Sequence, residues 1–395
     1  MNLRQLFLTN LAQTSDFPLA LEFTSAQGSY LFDGDGKKYL DLISGISVSN
    51  VGHRHPRVVK AIKDQVDKYM HQMVYGEFIQ SPQVRLAEAL VKSLLLTHRG
   101  KAIDNVFFTN SGAEAVEGAM KLAKRYTGRP EIIACRNAYH GSTQGALSLG
   151  EEHFKRNFRP LLPDIGKIDR NNPDTLGRIT ERTAAVIIEP IGAESGVRVT
   201  DSDFMYALAE QCRKTGALLI FDEIQTGLGR TGYTWGAEKY GFTADIVLSA
   251  KALGGGLPLG AFMAPREIMR VLRENPILGH ITTYGGNPVS CAAGLASLQV
   301  LQEEVSLEGV RKKGERIRGI FEKHPAINEV RGQGLMLAAE FEDFATLKKY
   351  IDAYIRLGVI TDWFLYCDNS MRITPPLNIR EEEIDELEEI ILSVR

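Results

Sequence analysis

The 395-residue sequence has few cysteines, little net charge and no long apolar run. Its four cysteines are far apart and form no Cys-x-x-Cys pair, which argues against a zinc site or a disulfide framework. We expect them to be buried small side chains in a reducing compartment: Cys135, Cys212, Cys291 and Cys367. The eight histidines show no metal-ligand spacing either, so no metal site is predicted.

The formal net charge of −3 gives no general attraction for nucleic acid or for an anionic membrane surface. No uncharged apolar stretch approaches the roughly 20 residues that span a bilayer. The N-terminus has helical apolar spacing but lacks the continuous apolar core of a signal peptide. We therefore expect a cytoplasmic protein with neither nucleic acid nor membrane as a partner.

What the sequence does contain is the pattern of an α/β fold. Short apolar runs such as "NVFFTN", "EIIACRN", "AAVIIEP", "ALLIFDE" and "DIVLSAK" alternate with helical segments, which predicts a mainly parallel, buried sheet. Before them, an acidic glycine turn in "YLFDGDGKKYL" predicts a β-hairpin. After them come a long helix and further strands of a smaller α+β unit. We divide the chain into residues 1–50, 51–300 and 301–395, the middle part being the large domain.

Charged side chains stand at the ends of three predicted strands. Asp222 and Glu223 end one strand, Glu189 ends a second and Lys251 a third. Any one of them alone could be a solvated strand end. Because ligands bind at the carboxyl edge of parallel sheets, the three together favour a functional site there.

A phosphate site is predicted where "NVFFT" gives way to a helix. Ser111, Gly112 and Ala113 open that helix, whose first backbone N–H groups are free to bind an anion. Taken alone, the segment could equally be a plain helix cap at Asn110 or Ser111. Together with Lys251, these features match the needs of pyridoxal 5'-phosphate, and the glycines after the lysine are expected to let the backbone approach that cofactor.

A rival motif is present at Gly227, Gly229 and Gly232, which formally read Gly-x-Gly-x-x-Gly. A dinucleotide-binding fingerprint should open a helix directly after its strand. Here "IQT" intervenes, and the following "YTWGAEKYGF" has no helical period. We therefore do not expect a dinucleotide site.

Several ordered motifs resemble the class III, fold-type I aminotransferases, a family that includes acetylornithine, ornithine and 4-aminobutyrate aminotransferases. They include "FFTNSGAEAVEGAMKLAKRYTGR", "AYHGST", "IIEPIGAESGV", "LIFDEIQTGLGRTG", "LSAKALGGGLPLGA" and "MRITPPL". The resemblance covers nearly the whole chain. It implies a large domain with a mainly parallel, seven-stranded sheet, a small α+β domain built from both chain ends, and a homodimer with shared active sites.

The resemblance also implies roles for individual residues toward pyridoxal phosphate. Lys251 would bind the cofactor covalently, Asp222 would contact its pyridinium nitrogen and Gln225 its O3' oxygen. Tyr139 would stack on the ring. The remaining contacts would be made to phosphate by Ser111, Gly112 and Ala113, and by Thr283 to the cofactor of the neighbouring subunit.

For the substrates, the resemblance implies that Arg372 binds a carboxylate and that Glu194 pairs with it when the other substrate is bound. Glu189 is also predicted to bind substrate. The expected reaction is ping-pong transfer of an amino group from an ω-amino substrate, like acetylornithine, ornithine or 4-aminobutyrate, to a 2-oxo acid, with 2-oxoglutarate the expected acceptor.

Two departures bear on the substrate. Many relatives have "HGRT", whose arginine binds a carboxylate, and here Ser142 takes that place. Ile46 stands where the ornithine enzymes have a tyrosine, which disfavours free ornithine. These departures leave open an alternative within the same family, an amino-acid racemase or aminomutase that needs no 2-oxo acid.

Overall fold

A seven-stranded sheet forms the centre of the structure, a computed structural model that describes residues 2–73 and 76–394. Neighbouring strands are parallel except for Gly260–Ala264, which runs antiparallel to both of its neighbours. The predicted mainly parallel, seven-stranded sheet is confirmed. Its spatial order is Asn105–Thr109, Gly260–Ala264, Ile246–Ser249, Leu218–Asp222, Thr183–Ile188, Glu131–Cys135 and Ile165–Ile168.

Helices cover both faces of this sheet, which is why its strands are apolar throughout rather than alternating. The helix Gly112–Thr127 packs on one face, in a cluster that includes Ile187. The helix Ser202–Thr215 packs on the opposite face, where Val186 contributes. Successive residues of one strand thus belong to separate apolar clusters.

Smaller sheets bring distant parts of the chain together. The predicted hairpin is present, with Tyr30–Asp33 antiparallel to Lys38–Asp41, and Phe23–Gln27 extends it. Val359–Ile360 pairs in parallel with Lys38–Asp41, so both ends of the chain contribute to one sheet. A further antiparallel sheet has the order Glu329–Gln333, Met336–Glu340, Cys367–Ile373 and Trp363–Phe364. The domain boundaries at residues 50 and 300 stay a prediction.

The other elements complete the layers around these sheets. Two-stranded pairs join Thr97–His98 to Lys101–Ala102 and Ile191–Gly192 to Arg198–Val199. None of the helices within residues 2–73 and 76–394 is long and apolar enough to cross a membrane. The remaining α-helices are Leu3–Asn10, Ser44–Ser47, Pro56–Val66, Ser81–Ser93, Gln144–Ser148, Glu152–Lys155, Arg266–Met269, Pro288–Glu304, Leu307–Glu322, Phe344–Leu357 and Glu381–Ser393. The short 3₁₀ helices are Arg156–Phe158, Pro173–Arg178, Gly236–Tyr240, Lys251–Gly254 and Arg270–Arg273.

The glycine-rich segment 227–232 is a turn, and no helix opens on it in the described chain. The segment therefore lacks the strand-to-helix geometry that a dinucleotide fingerprint requires. Within it, the fully buried Arg230 donates hydrogen bonds to the carbonyl oxygens of Leu335 and Pro375 at 2.8 and 2.6 Å and to Asn50 at 2.6 Å. Burial lowers the pKa of Arg230 to about 9. The segment thus ties the large sheet to both chain ends.

The cysteine prediction was right for Cys135, Cys212 and Cys291, which are buried, and wrong for Cys367. Cys367 is only partly buried because it is the first residue of the strand Cys367–Ile373, where its sulfur contacts Arg331 and Ser370 at 3.4 and 3.2 Å. Among the described residues, no group of histidine, cysteine or acidic side chains is arranged to hold a metal ion.

Candidate active site

A cavity of about 720 Å³ opens at the carboxyl edge of the large sheet. The parallel strands bring their final residues to this edge, which gathers charged groups from distant parts of the sequence. Most of the residues predicted from the sequence line it: Ser111, Gly112, Ala113, Tyr139, Glu189, Glu194, Asp222, Gln225 and Lys251.

Lys251 lies just after the strand Ile246–Ser249, at a sharp turn. Its backbone has φ +49°, in the left-handed region that is strained for a residue with a side chain. Its Nζ atom donates to Oε1 of Gln225 at 2.8 Å. Burial lowers the pKa of Lys251 to about 8, against an opposing effect of Glu194. The lysine is thereby kept ready to act as a nucleophile near neutral pH.

Asp222, the last residue of the central strand, has both carboxylate oxygens engaged. Oδ2 lies 2.7 Å from Nδ1 of His140, and Oδ1 accepts from the backbone N–H of Ile224 at 3.1 Å. The side chains of His140 and Asp222 are both buried. The carboxylate is therefore held in one orientation at the wall of the cavity.

Glu189 is buried at the end of the neighbouring strand. Burial raises its pKa to about 7, although His140 and Arg170 act in the opposite direction. One oxygen accepts from the backbone N–H of Ala193 at 3.2 Å, and the other lies 3.8 Å from Nη2 of Arg170. Glu189 is thus a carboxyl group that can gain or lose a proton near neutral pH.

Glu223, which follows Asp222 at the end of the central strand, does not line the cavity. It accepts from the backbone N–H groups of Gly236 and Ala237 at 2.9 and 2.7 Å and from Thr226. Burial raises its pKa to about 7. Its role is to hold the turn after the strand.

The helix that begins after Ser111 presents its N-terminus to the cavity. The Ser111 hydroxyl caps the helix by accepting from the backbone N–H of Glu114 at 3.2 Å. The first-turn amides of Gly112 and Ala113 lack an intrahelical acceptor by helix geometry, and both residues line the cavity. This end of the site suits an anion.

The glycines after Lys251 fall into two groups, one at the cavity and one in the packing of the fold. Gly256 lines the cavity, but Gly254 and Gly255 do not. A Cβ at Gly255 would lie 2.8 Å from the carbonyl oxygen of Ala293. Gly255 therefore allows close packing against the helix Pro288–Glu304, which is a structural reason rather than a cofactor contact.

Arg372 is 2% exposed and forms a buried ion pair with Glu194. Its Nη1 and Nη2 atoms lie 3.0 and 3.2 Å from the two oxygens of Glu194, a bidentate arrangement. Burial opposes the charge on both groups, but their pairing outweighs it: the pKa of Glu194 is lowered and that of Arg372 is raised. The ion pair between Arg372 and Glu194 that the sequence predicted is therefore formed in this structure.

Other predicted positions lie elsewhere or make different contacts. Thr283 is exposed and does not line the cavity of its own chain. Tyr139 and Ser142 both line it, and their hydroxyl oxygens are 2.9 Å apart. The residue of the "SGISV" segment that reaches the cavity is Val48 rather than Ile46, so the wall is apolar there.

Three buried polar atoms around the cavity have no hydrogen-bond partner in the part of the chain that the structure describes. They are Nε2 of His140, Oε2 of Glu189 and Nε2 of Gln225. Buried polar groups are normally paired, so such a cluster indicates the place of a polar ligand. An anion seat, an amine of lowered pKa and a fixed carboxylate at one cavity fit pyridoxal phosphate.

Sequence reasoning missed three contributors. His140 lies within "AYHGST", Arg170 follows the strand Ile165–Ile168, and Asp362, which accepts a hydrogen bond from Nε of Arg372, is ten positions away from that arginine. The only signal for His140 was its place next to Tyr139. For Asp362 and Arg170 the chain carries no local signal, because their partners come from other strands.

Comparison with known proteins agrees with a cavity that fits pyridoxal phosphate. The sequence profile of the family "Aminotransferase class-III" matches residues 11–394. An acetylornithine aminotransferase of Methanocaldococcus jannaschii is 39% identical over 93% of this chain and 92% of its own length. One of Streptomyces coelicolor is 44% identical over 80% and 77%.

Other relatives carry different names. A [LysW]-aminoadipate semialdehyde/glutamate semialdehyde transaminase of Sulfurisphaera tokodaii is 40% identical over 81% of both chains. Among solved structures, the ornithine aminotransferase of Toxoplasma gondii superimposes with a TM-score of 0.90 at 28% identity, covering 98% of this chain and 93% of its own. The chain therefore belongs to the class III aminotransferases and is a pyridoxal-phosphate-dependent transaminase of fold type I.

Proposed function

We propose that pyridoxal 5'-phosphate is held in the 720 Å³ cavity with its aldehyde at Lys251 and its phosphate at the helix N-terminus of Gly112 and Ala113. Asp222 would face the pyridine nitrogen, Gln225 the ring oxygen and Tyr139 the ring face. One observation carries this proposal: the Lys251 amine, the helix N-terminus and the Asp222 carboxylate all line the same cavity. Burial lowers the pKa of that amine to about 8. When bound, the cofactor supplies an electron sink for the bonds of the amine-bearing carbon.

The chain's own groups perform the remaining work. Lys251 would act as a base that takes a proton from the amine-bearing carbon of the substrate at Nζ, and then as the acid that gives it back. Asp222, held in one orientation by His140, would face the ring nitrogen. Glu189, with a pKa of about 7, is available to hydrogen-bond substrate as acceptor or donor.

Arg372 and Glu194 would handle the two substrates in turn. While Glu194 is paired with Arg372, the arginine would not be available to a substrate carboxylate. An amine donor could then bind without placing a carboxylate at Arg372. When a 2-oxo acid binds, its carboxylate would replace Glu194 on the bidentate face of Arg372. The site thereby accepts two substrates of different charge.

We propose an ω-amino compound of the acetylornithine type as donor and 2-oxoglutarate as acceptor. The support is the name shared by the two relatives above and the apolar wall at Val48, which does not favour free ornithine. Ser142 supplies a hydroxyl where a second carboxylate anchor is expected, so we expect weak affinity for a dicarboxylic acceptor.

We also propose a homodimer whose subunits complete each other's sites. Exposed apolar side chains occur near Thr283 in the sequence and in a segment that contacts this part of the chain: His71 contacts the ring of Tyr284, and Asn287 donates a hydrogen bond to the backbone of Met70. Apolar surface of this kind is typical of an interface. The exposed apolar side chains in these segments are Met70, Phe78, Ile79, Ile277, Leu278, Ile281 and Tyr284.

The unpaired cysteines support our proposal of a cytoplasmic location.

The test is transfer of labelled nitrogen. We would incubate the purified enzyme with ¹⁵N-amine-labelled N-acetylornithine and unlabelled 2-oxoglutarate and follow the label by mass spectrometry. The expected product is ¹⁵N-glutamate, formed by the wild type and not by Lys251→Ala. If the donor is isomerised over many turnovers without 2-oxoglutarate, the racemase or aminomutase alternative replaces the proposal; loss of only one equivalent of donor per subunit is the first half-reaction of ping-pong transfer. Pyruvate, tested in parallel, reports whether the acceptor assignment alone is wrong.

A further inference from the structure

Arg372 has a second acidic neighbour besides Glu194. Its Nε atom donates to Oδ1 of Asp362 at 2.7 Å, and its Nη2 atom also donates to the carbonyl oxygen of Trp363 at 3.2 Å. The backbone N–H of Arg372 bonds to the carbonyl oxygen of Asp362 at 2.9 Å. Side chain and backbone of the arginine are thus both attached to one neighbouring segment.

These contacts divide the guanidinium group into separate edges. A planar guanidinium can bind a carboxylate through Nη1 and Nη2 or through Nε and one Nη atom. Asp362 and Trp363 occupy the edge formed by Nε and Nη2. Glu194 occupies the edge formed by Nη1 and Nη2. Of these two edges, the one formed by Nη1 and Nη2 faces Glu194, which lines the cavity.

The same segment also fixes the plane of the guanidinium. The ring of Phe364 lies 4.4 Å from the guanidinium carbon of Arg372, a stacking distance. The backbone N–H of Leu365 donates to Oε2 of Glu194 at 3.0 Å. Residues 362–365 therefore fix the positions of Arg372 and of the Glu194 carboxylate relative to each other.

We infer that Asp362 is a positioning residue: it fixes Nε of Arg372 so that only the Nη1–Nη2 edge exchanges Glu194 for a substrate carboxylate. This inference rests on the proposed role of Arg372 as the carboxylate anchor. Without Asp362, the buried Nε–H would lose its acceptor and the guanidinium could turn away from the cavity.

We expect the positioning of Arg372 to depend on an oxygen of residue 362 that accepts a hydrogen bond from Nε, rather than on the charge of that residue. Burial raises the pKa of Asp362, with Arg372 acting against that shift, and either protonation state keeps an oxygen that can accept from Nε. Asparagine should therefore substitute for Asp362 better than alanine. This distinction separates positioning from a purely electrostatic effect.

The experiment compares Asp362→Ala, Asp362→Asn and Arg372→Lys in the holoenzyme. Binding of glutarate, a dicarboxylate without a reactive carbonyl, is measured by calorimetry, and KM and kcat are measured for 2-oxoglutarate. Asp352→Ala serves as the matched control, because that aspartate pairs with Lys348 on a partly exposed helix face, away from Arg372. Thermal unfolding checks that each variant is folded.

We expect Asp362→Ala to weaken glutarate binding and raise KM by about tenfold, with kcat within about twofold of wild type. Asp362→Asn should recover most of that loss, and Asp352→Ala should behave as wild type. Equal defects in Asp362→Ala and Asp362→Asn, or none in either, would overturn the inference while Arg372→Lys remains impaired. If Arg372→Lys also binds glutarate normally, the proposed anchor itself is wrong.

Discussion

Nδ1 of His140 lies 2.7 Å from Oδ2 of Asp222, and both side chains are buried. The contact joins the end of the central strand to the segment that follows Glu131–Cys135. Because Ile224 donates to the other oxygen of Asp222, the carboxylate cannot rotate without breaking a bond. His140 therefore fixes the group that we propose faces the cofactor nitrogen.

Replacing His140 should expose this dependence. We expect His140→Ala to lower kcat/KM by about 10- to 100-fold, the effect of losing a hydrogen bond to a charged group, and to weaken cofactor binding. His140→Asn, whose amide can still donate to Asp222, should lose less. The measurements are steady-state kinetics and cofactor dissociation followed by absorbance. Equal losses in both variants would mean that the ring is needed for packing alone.

The lowered pKa of Lys251 predicts how cofactor attachment depends on pH. Only the uncharged amine is nucleophilic, and burial sets the pKa at about 8, so the protonated form dominates below that value. With cofactor-free protein, the rate of covalent attachment should rise about tenfold per pH unit below pH 8 and level off above it. An ordinary lysine, with a pKa of 10.5, would instead give a rate that still rises at pH 9 to 10.

Restoring an arginine at position 142 should change the acceptor preference. Ser142→Arg adds a cation to the wall of the cavity, where it can pair with the distal carboxylate of 2-oxoglutarate. We expect KM for 2-oxoglutarate to fall by about tenfold relative to KM for pyruvate, the usual range for a charged hydrogen bond. Ser142→Ala, which removes the contact with Tyr139 without adding charge, is the control. An equal change for both acceptors would contradict the proposed subsite.

The apolar surface around Thr283 should hold two subunits together. Ile277 is 73% exposed, and Ile277→Asp would place a charge in the proposed interface. We expect the wild type to sediment at twice 43.8 kDa and this variant to dissociate and lose activity. Leu95→Asp, at another exposed apolar position, is the control that should stay dimeric. A wild-type monomer with full activity would refute shared sites.

Local sequence pattern was enough for much of this protein. The apolar runs predicted the parallel sheet, and charged residues directly after those runs predicted that Glu189, Asp222 and Lys251 would meet, because parallel strands end at one edge. The change from strand to helix formers at Ser111 likewise predicted the anion seat. Each of these predictions depends on residues close together in the chain.

Tertiary structure alone decided which long-range partners those residues have. Asp222 and Glu223 are adjacent in sequence, yet one faces the cavity and the other holds a turn, because successive side chains leave a strand in opposite directions. Similarly, Gly255 is required by the carbonyl of Ala293, which comes from a distant helix. Sequence determined the fold and the chemistry available, whereas packing between distant segments decided how each charge is oriented, paired and kept from water.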